Sequence, residues 1–162
     1  MKLIELALTL AYDTKTNYDD VFAQTRMWDA LIYNYLLERN IIVPPRRIAN
    51  KTASFEGAYV KDPQIGLHDW VASFDLNSLY PHLIMQYNIS PETLIDNHDY
   101  TDEMRHLASQ ASVENLLQKK LDTSVLKDAT ITPNGQFFRT DKEGFLPAMM
   151  IDMYDNRKKF KK

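Results

Sequence analysis

Asp75 is a lone carboxylate at the end of an apolar run, followed closely by a hydroxyl, an aromatic ring and a proline: Ser73-Phe74-Asp75-Leu76-Asn77-Ser78-Leu79-Tyr80-Pro81-His82. A carboxylate at a strand end is a hard oxygen ligand suited to Mg²⁺. If the turn after it leads straight into a helix, the exposed N–H groups of Ser78 and Leu79 can take phosphate oxygens at the helix N-terminus. Asp75 then holds a metal, the turn holds a polyphosphate, and the flat ring of Tyr80 offers a rest for a sugar. The plainer reading is that Asp75 or Ser78 caps the helix while Tyr80 and Leu83 are core. His82 is no sign of general-base chemistry, because a single histidine beside a helix start is usually structural.

The elements that must position these residues follow from periodicity and punctuation. Trp70-Val71-Ala72-Ser73-Phe74 predicts a short strand. A helix over about 79–88 follows, with Pro81 tolerated in its first turn and Ser90-Pro91 as the stop. Upstream, residues 2–12 read as helical, with Leu3, Leu6, Leu8 and Leu10 in an apolar segment. Thr25 is the expected N-cap of a helix over roughly 26–39, where Trp28, Leu31, Ile32, Tyr35 and Leu36 recur at helical spacing. Pro44-Pro45 ends that region, and residues 44–68 form a connector. Downstream, residues 101–121 predict one or two amphipathic helices with Met104, Leu107, Ala108, Ala111, Leu116 and Leu117 inward. Asn134-Gly135 is a hairpin-turn signal between residues 129–132 and 136–139. Pro147 marks a helix start. That helix runs basic and without a stop signal to the last residue, so the chain is expected to be a piece of something larger. No internal repeat or low-complexity tract appears.

With 162 residues, 44% of them hydrophobic, the chain can build one modest core. It has no cysteine, which excludes disulfides and thiolate metal sites and fits a reducing compartment. No apolar run can span a membrane, and Met1-Lys2-Leu3-Ile4-Glu5 makes a poor signal peptide. The expected location is therefore cytoplasmic, in the host cell if the source is viral. The net charge of −3 does not announce a nucleic-acid binder. Positive charge is nevertheless clustered, at Arg46, Arg47 and Lys51 and at Arg157, Lys158, Lys159, Lys161 and Lys162. Each cluster also reads as an ordinary solvated face or tail.

Asp75 through Pro81 matches every fixed position of D-x-x-S-L-Y-P and resembles motif A of family B DNA polymerases. Asn88-Ile89-Ser90-Pro91-Glu92-Thr93 looks like the N-I-S-P-E-T run of the T-even-type phage members. Phe55-Glu56-Gly57-Ala58-Tyr59-Val60 is similar to the Y-x-G-G/A-x-V segment joining the exonuclease and polymerase domains, and Trp28-Asp29-Ala30-Leu31-Ile32 resembles the segment before it. Pro133-Asn134-Gly135, Gly144 and Pro147 resemble the palm hairpin that leads into the fingers. The likeness covers nearly the whole chain. It implies an α+β fold: a helical segment (1–54) linking exonuclease domain to palm, a partial palm (55–145), and the start of the fingers helix (146–162).

The resemblance also implies roles. Asp75 would be one of two aspartates binding a pair of Mg²⁺ ions, and the Leu76 carbonyl would ligate the nucleotide-bound one. Ser78 and Leu79 N–H groups would contact the triphosphate, and Tyr80 would be the steric gate that excludes a 2′-hydroxyl. Arg157 and Lys161 would grip the triphosphate from the fingers helix, sharing one face by their spacing. The plain alternative there is an Asp155–Lys159 pair on a solvated helix end. Phe55, Gly57 and Ala58 would lie against primer–template DNA, although Phe55 replaces the usual Tyr and loses its hydroxyl. His82 replaces the small hydroxyl residue usual after the motif's Pro, and Asn77 sits at a variable position.

The implied reaction joins deoxynucleoside triphosphates to a primer 3′-hydroxyl, with two metals about 4 Å apart. One carboxylate cannot hold both. The Y-x-D-T-D-S and K-x-x-x-N-S-x-Y-G motifs are absent from these 162 residues. The expectation is therefore a chain inactive alone, whose partners are the exonuclease domain, the rest of the palm and fingers, and the thumb. An exposed sheet edge and poor independent stability are expected with it. A non-catalytic binding or assembly module that keeps the palm shape is the competing reading. A stand-alone phosphohydrolase is disfavoured, because no clustered histidines or carboxylates accompany Asp75.

Overall fold

The computed structural model describes residues 2–43, 45 and 60–161. Phe55, Gly57 and Ala58, the basic group Arg46, Arg47 and Lys51, and most of the expected connector lie outside the described residues. The chain forms two compact units, Met1–Ile65 and Gly66–Lys162, each mixing short elements around its own contacts.

The first unit is a pair of helices joined by a short 3₁₀ turn. Helix α1 spans Lys2–Thr14 and helix α2 spans Gln24–Glu38, with the 3₁₀ turn at Tyr18–Phe22 between them. The stripe that α1 turns inward is Ala7, Leu10, Ala11 and Thr14, at helical spacing. Leu3, Leu6 and Leu8 are exposed, so the apolar segment seen in sequence is not the packed face. On α2 the expected stripe holds: Leu36 is buried and Trp28, Leu31, Ile32 and Tyr35 are half-buried. The expected cap does not hold. Helix α2 begins one residue before Thr25, and its N-cap is Ala23, which offers no side-chain oxygen. Asn40, at φ 56°, ends the helix, and Ile41 N–H returns to the Leu36 carbonyl at 2.9 Å. Asn tolerates the left-handed conformation better than most residues, so the helix stops before the prolines are reached.

The second unit carries the site. Helix α3 spans Leu79–Tyr87, α4 Asp102–Gln110, α5 Val113–Leu117 and α6 Phe145–Phe160. Strands β1 (Ala129–Ile131) and β2 (Phe137–Arg139) pair antiparallel, Thr130 opposite Phe138. The hairpin signal at Asn134-Gly135 is borne out: Gly135 adopts φ 78° and its N–H meets the Thr132 carbonyl at 2.9 Å. A side chain at Gly135 would also press on the Ala108 carbonyl, 3.0 Å from where a Cβ would stand. On its other edge β2 bridges Leu94.

The core of this unit gathers Met104 and Leu107 of α4, Leu121, Ile131 of β1 and Phe137 of β2, with Tyr100 edge-on to Phe137 at 4.9 Å. The amphipathic stretch forms two helices, each with a working cap. The Thr101 hydroxyl accepts from Met104 N–H at 3.3 Å, and the Ser112 hydroxyl accepts from Asn115 N–H at 3.1 Å. Leu117 differs from expectation: it is exposed, because α5 ends there after five residues and leaves it on the outer side.

Helix α3 stops at Asn88, not at Ser90-Pro91. Asn88 takes the left-handed conformation (φ 54°), and Ile89 N–H returns to the Ile84 carbonyl at 2.9 Å. The Asn88 side chain is fully used. Its Nδ2 donates to the carbonyls of Arg139 (2.5 Å) and Lys142 (2.8 Å), and its Oδ1 accepts from Gly144 N–H at 2.8 Å. The end of α3 is thereby fastened to the end of β2 and the start of α6. Beside it, the Arg139 guanidinium bonds Asp141 and holds that carboxyl below its ordinary pKa. This favours the folded form above the usual carboxylate range and is lost as pH falls through the lowered value.

Asn88→Ala leaves the buried Gly144 N–H without its partner, removes the bonds to the part-buried Arg139 and Lys142 carbonyls, and removes a residue suited to φ 54°. It should cost about 2–4 kcal/mol in urea unfolding. Asn88→Gly, which keeps the backbone conformation, should recover part of that loss.

Candidate functional site

The expected strand before Asp75 does not form. Residues 71–76 are irregular, and Trp70, Val71, Phe74 and Leu76 are exposed. Two physical reasons apply. Trp70 sits at φ 59°, outside the extended region, and among the described residues no strand pairs with this run. A strand without a ladder partner leaves its backbone groups to water. Asp75 is likewise exposed. Among the described residues no group of three or more His, Asp or Glu side chains gathers to hold a metal. Asp75 and the Leu76 carbonyl offer hard oxygens, fewer than a magnesium ion takes.

The turn itself is well defined. Ser78 stands at the N-cap of α3 in the left-handed conformation, φ 55° and ψ 44°, and its side chain makes no cap bond. Its carbonyl accepts from His82 N–H at 3.1 Å and from the His82 ring at Nδ1, 2.8 Å away. Tyr80 is 70% exposed, so its ring is not core and lies free beside the turn. Leu79 is also partly open to solvent.

Helix α6 runs antiparallel to α3 and brings its basic end to this turn. Gly144 meets Asn88 at one end of the pair, and at the other the Arg157 guanidinium donates through Nη1 to Ser78 Oγ at 3.0 Å. Between them the His82 and Tyr154 rings meet edge to face, centroids 4.8 Å apart and planes at 83°. Lys158 Nζ stands 4.3 Å from the centre of the Tyr154 ring, a cation–π arrangement. Lys161 follows Arg157 by one turn, and its N–H bonds the Arg157 carbonyl at 2.9 Å. The alternative Asp155–Lys159 ion pair is not among those formed by the described residues.

The start of α6 is anchored by the Asn88–Thr93 run. The Glu92 carboxylate accepts from Phe145 N–H at 2.6 Å and from the Ser90 hydroxyl at 2.5 Å, placing negative charge where the helix dipole favours it. Thr93 is fully buried and bonds the Asn88 carbonyl at 2.6 Å. Gly144 admits this approach: a Cβ there would lie 2.6 Å from Ser90 Cβ. In sequence this run carries a helix stop at Ser90-Pro91 and no sign of its role as the anchor of α6. The Asn88 side-chain partners lie more than fifty residues away, beyond the reach of any local sequence signal. Of the residues read from sequence, the structure brings Ser78, Leu79, Tyr80, Arg157 and Lys161 to one end of the α3–α6 pair. Asp75 and Leu76 precede that end in the irregular run.

A model of DNA polymerase family B matches residues 20–162. The chain is 31% identical over 166 residues to the DNA-directed DNA polymerase of Escherichia phage RB69, covering 99% of this chain and 16% of that protein. It is 31% identical over 159 residues to the DNA-directed DNA polymerase of Enterobacteria phage T4, again 16% of its length. It is 29% identical over 133 residues to the DNA polymerase delta catalytic subunit of Schizosaccharomyces pombe, covering 80% of this chain and 11% of that subunit. The chain therefore spans about one sixth of the phage proteins it resembles.

Ser78→Gly removes the acceptor of Arg157 while suiting the backbone at φ 55°. Stability should change by no more than about 1 kcal/mol, while the Arg157 guanidinium resonances narrow and shift toward those of a free arginine in NMR spectra.

Proposed function

This chain belongs to DNA polymerase family B, and from that premise we propose that it forms part of a DNA-directed DNA polymerase site, adding deoxynucleotides to a primer 3′-hydroxyl. The observation that carries the reading is the 3.0 Å bond between Arg157 and Ser78. It sets a basic helix end over the turn of the D-x-x-S-L-Y-P motif, across 79 residues of sequence. In this reading residues 55–145 are a partial palm, 146–162 the start of the fingers helix, and 1–54 the helical segment leading in from an exonuclease domain.

The side chains divide the work. Arg157 can take two phosphate oxygens through its planar fork, and Lys161 adds a point charge one turn on. Ser78 and Leu79 N–H groups meet the same triphosphate at the start of α3. The exposed Tyr80 ring packs under the deoxyribose and leaves no room for a 2′-hydroxyl. Asp75 and the Leu76 carbonyl supply oxygens to Mg²⁺, which when bound offsets charge on the triphosphate. The remaining carboxylate comes from polypeptide beyond the described residues. Phe55, Gly57 and Ala58 face primer–template DNA. The 162-residue chain alone does not extend a primer, and it works with the rest of palm and fingers, the exonuclease domain and the thumb. No helix among the described residues is long and apolar enough to cross a membrane.

The 162 residues hold Asp75 but no Y-x-D-T-D-S run, which leaves a second reading, a non-catalytic binding or assembly module that keeps the palm shape. Coding sequence supplying D-T-D-S and K-x-x-x-N-S-x-Y-G motifs in the same or a partner chain decides for the polymerase.

In the assembled polymerase, Asp75→Ala should reduce primer extension to background, and retained extension would rule out its metal role. Tyr80→Ala should raise ribonucleotide incorporation relative to deoxynucleotide about a hundred-fold, read from single-nucleotide insertion kinetics.

A further inference from the structure

His82 follows Pro81 in the first turn of α3, and no step proposed above uses it. Its ring nevertheless joins the two helices that make the site. Nδ1 lies 2.8 Å from the Ser78 carbonyl. A carbonyl only accepts, so the imidazole holds its proton at Nδ1 and donates it there. The other side of the ring packs edge to face on Tyr154 at 4.8 Å. Tyr154 precedes Arg157 by three residues on α6, and Arg157 closes the circuit on Ser78 Oγ at 3.0 Å.

The circuit thus runs from the Ser78 carbonyl through His82 and Tyr154 to Arg157 and back to the Ser78 hydroxyl. Ser78 is held in the left-handed conformation, which a non-glycine residue keeps only when its surroundings fix it. His82 bonds that residue's carbonyl twice, through its backbone and its ring. Arg157 is exposed, so the hydroxyl alone holds a long, otherwise mobile side chain weakly.

We infer that His82 is a positioning residue that, through Tyr154 and the Ser78 carbonyl, holds the Arg157 guanidinium over the turn and so sets how tightly the site takes the triphosphate of an incoming deoxynucleotide. This rests on the polymerase reading above. It predicts a specific kinetic pattern, because weaker ground-state grip raises KM without slowing the chemical step.

The test is single-deoxynucleotide insertion by the assembled polymerase on a fixed primer–template, with nucleotide concentration varied. His82→Ala should raise nucleotide KM about five-fold with kcat changed less than about two-fold. His82→Phe keeps a ring against Tyr154, and His82→Asn keeps a donor near the Ser78 carbonyl; each should fall between wild type and His82→Ala. Adding His82→Ala to Arg157→Ala should raise KM no further than Arg157→Ala alone, because a residue acting through another cannot add to its loss. Tyr154→Leu breaks the same link from α6 and should copy His82→Ala if the His82 variants fold poorly. An unchanged KM in both His82→Ala and Tyr154→Leu, or effects that multiply with Arg157→Ala, would overturn the inference while leaving the polymerase reading intact. An unchanged KM in Arg157→Ala itself would instead overturn that reading of the site, and this inference with it.

Discussion

The second unit depends on one side-chain amide. Asn88 ends α3, and with both its donors and its acceptor it gathers the carbonyls of Arg139 and Lys142 and the N–H of Gly144. Each of those groups belongs to a chain end that has run out of regular partners: the last residue of β2, the loop after it, and the cap of α6. The Gly144 N–H is buried and must be paired, and the residue that pairs it also takes up the two part-buried carbonyls. The left-handed turn at Asn88 aims its amide toward them, and Asn is one of the few side chains that tolerates that turn while carrying both donor and acceptor. Ser90, Glu92 and Thr93 extend the same device, and Gly144 makes it possible by carrying no side chain where Ser90 stands.

What was legible in sequence follows from the range of the forces involved. The hairpin at Asn134-Gly135 and the helix start near Pro147 were readable because turn chemistry is local. The stripe on α2 and the inward Met104 and Leu107 were readable because burial follows helical period. Two helix ends differ from what punctuation predicts: Ala23, with no side-chain cap bond, stands at the N-cap of α2 in place of Thr25, and the left-handed Asn88 ends α3 before Ser90-Pro91. On α1 the apolar segment does not by itself tell which side packs: Ala7, Leu10, Ala11 and Thr14 turn inward while Leu3, Leu6 and Leu8 are exposed. The motif around Asp75 identified the family, yet nothing local could show that His82 reaches Tyr154 or that Asn88 reaches Gly144.

The run before the motif shows the opposite limit. Trp70 through Phe74 has the composition of a strand, and a strand is not a property of one segment. Its hydrogen bonds point sideways, to another strand, so composition alone cannot complete it. Helix α3, whose bonds are internal, forms in full a few residues later. The boundary between the two lies at Asn77 and Ser78, where the chain changes from needing a neighbour to needing none.

The antiparallel pairing of α3 and α6 makes the longer helix a lever. Its fulcrum is Gly144, clasped by Asn88, and its tip carries Arg157. At 1.5 Å per residue the arm from fulcrum to tip is roughly 20 Å, so a tilt of about 5° sweeps the guanidinium through roughly 1.7 Å. That travel is enough to part it from the Ser78 hydroxyl. Angular play of a few degrees at the joint is thus multiplied into making or breaking the Arg157–Ser78 contact at the far end of the pair. The stiffness of the polar joint at Asn88, together with the His82–Tyr154 contact midway along the arm, therefore limits how far the charged tip wanders.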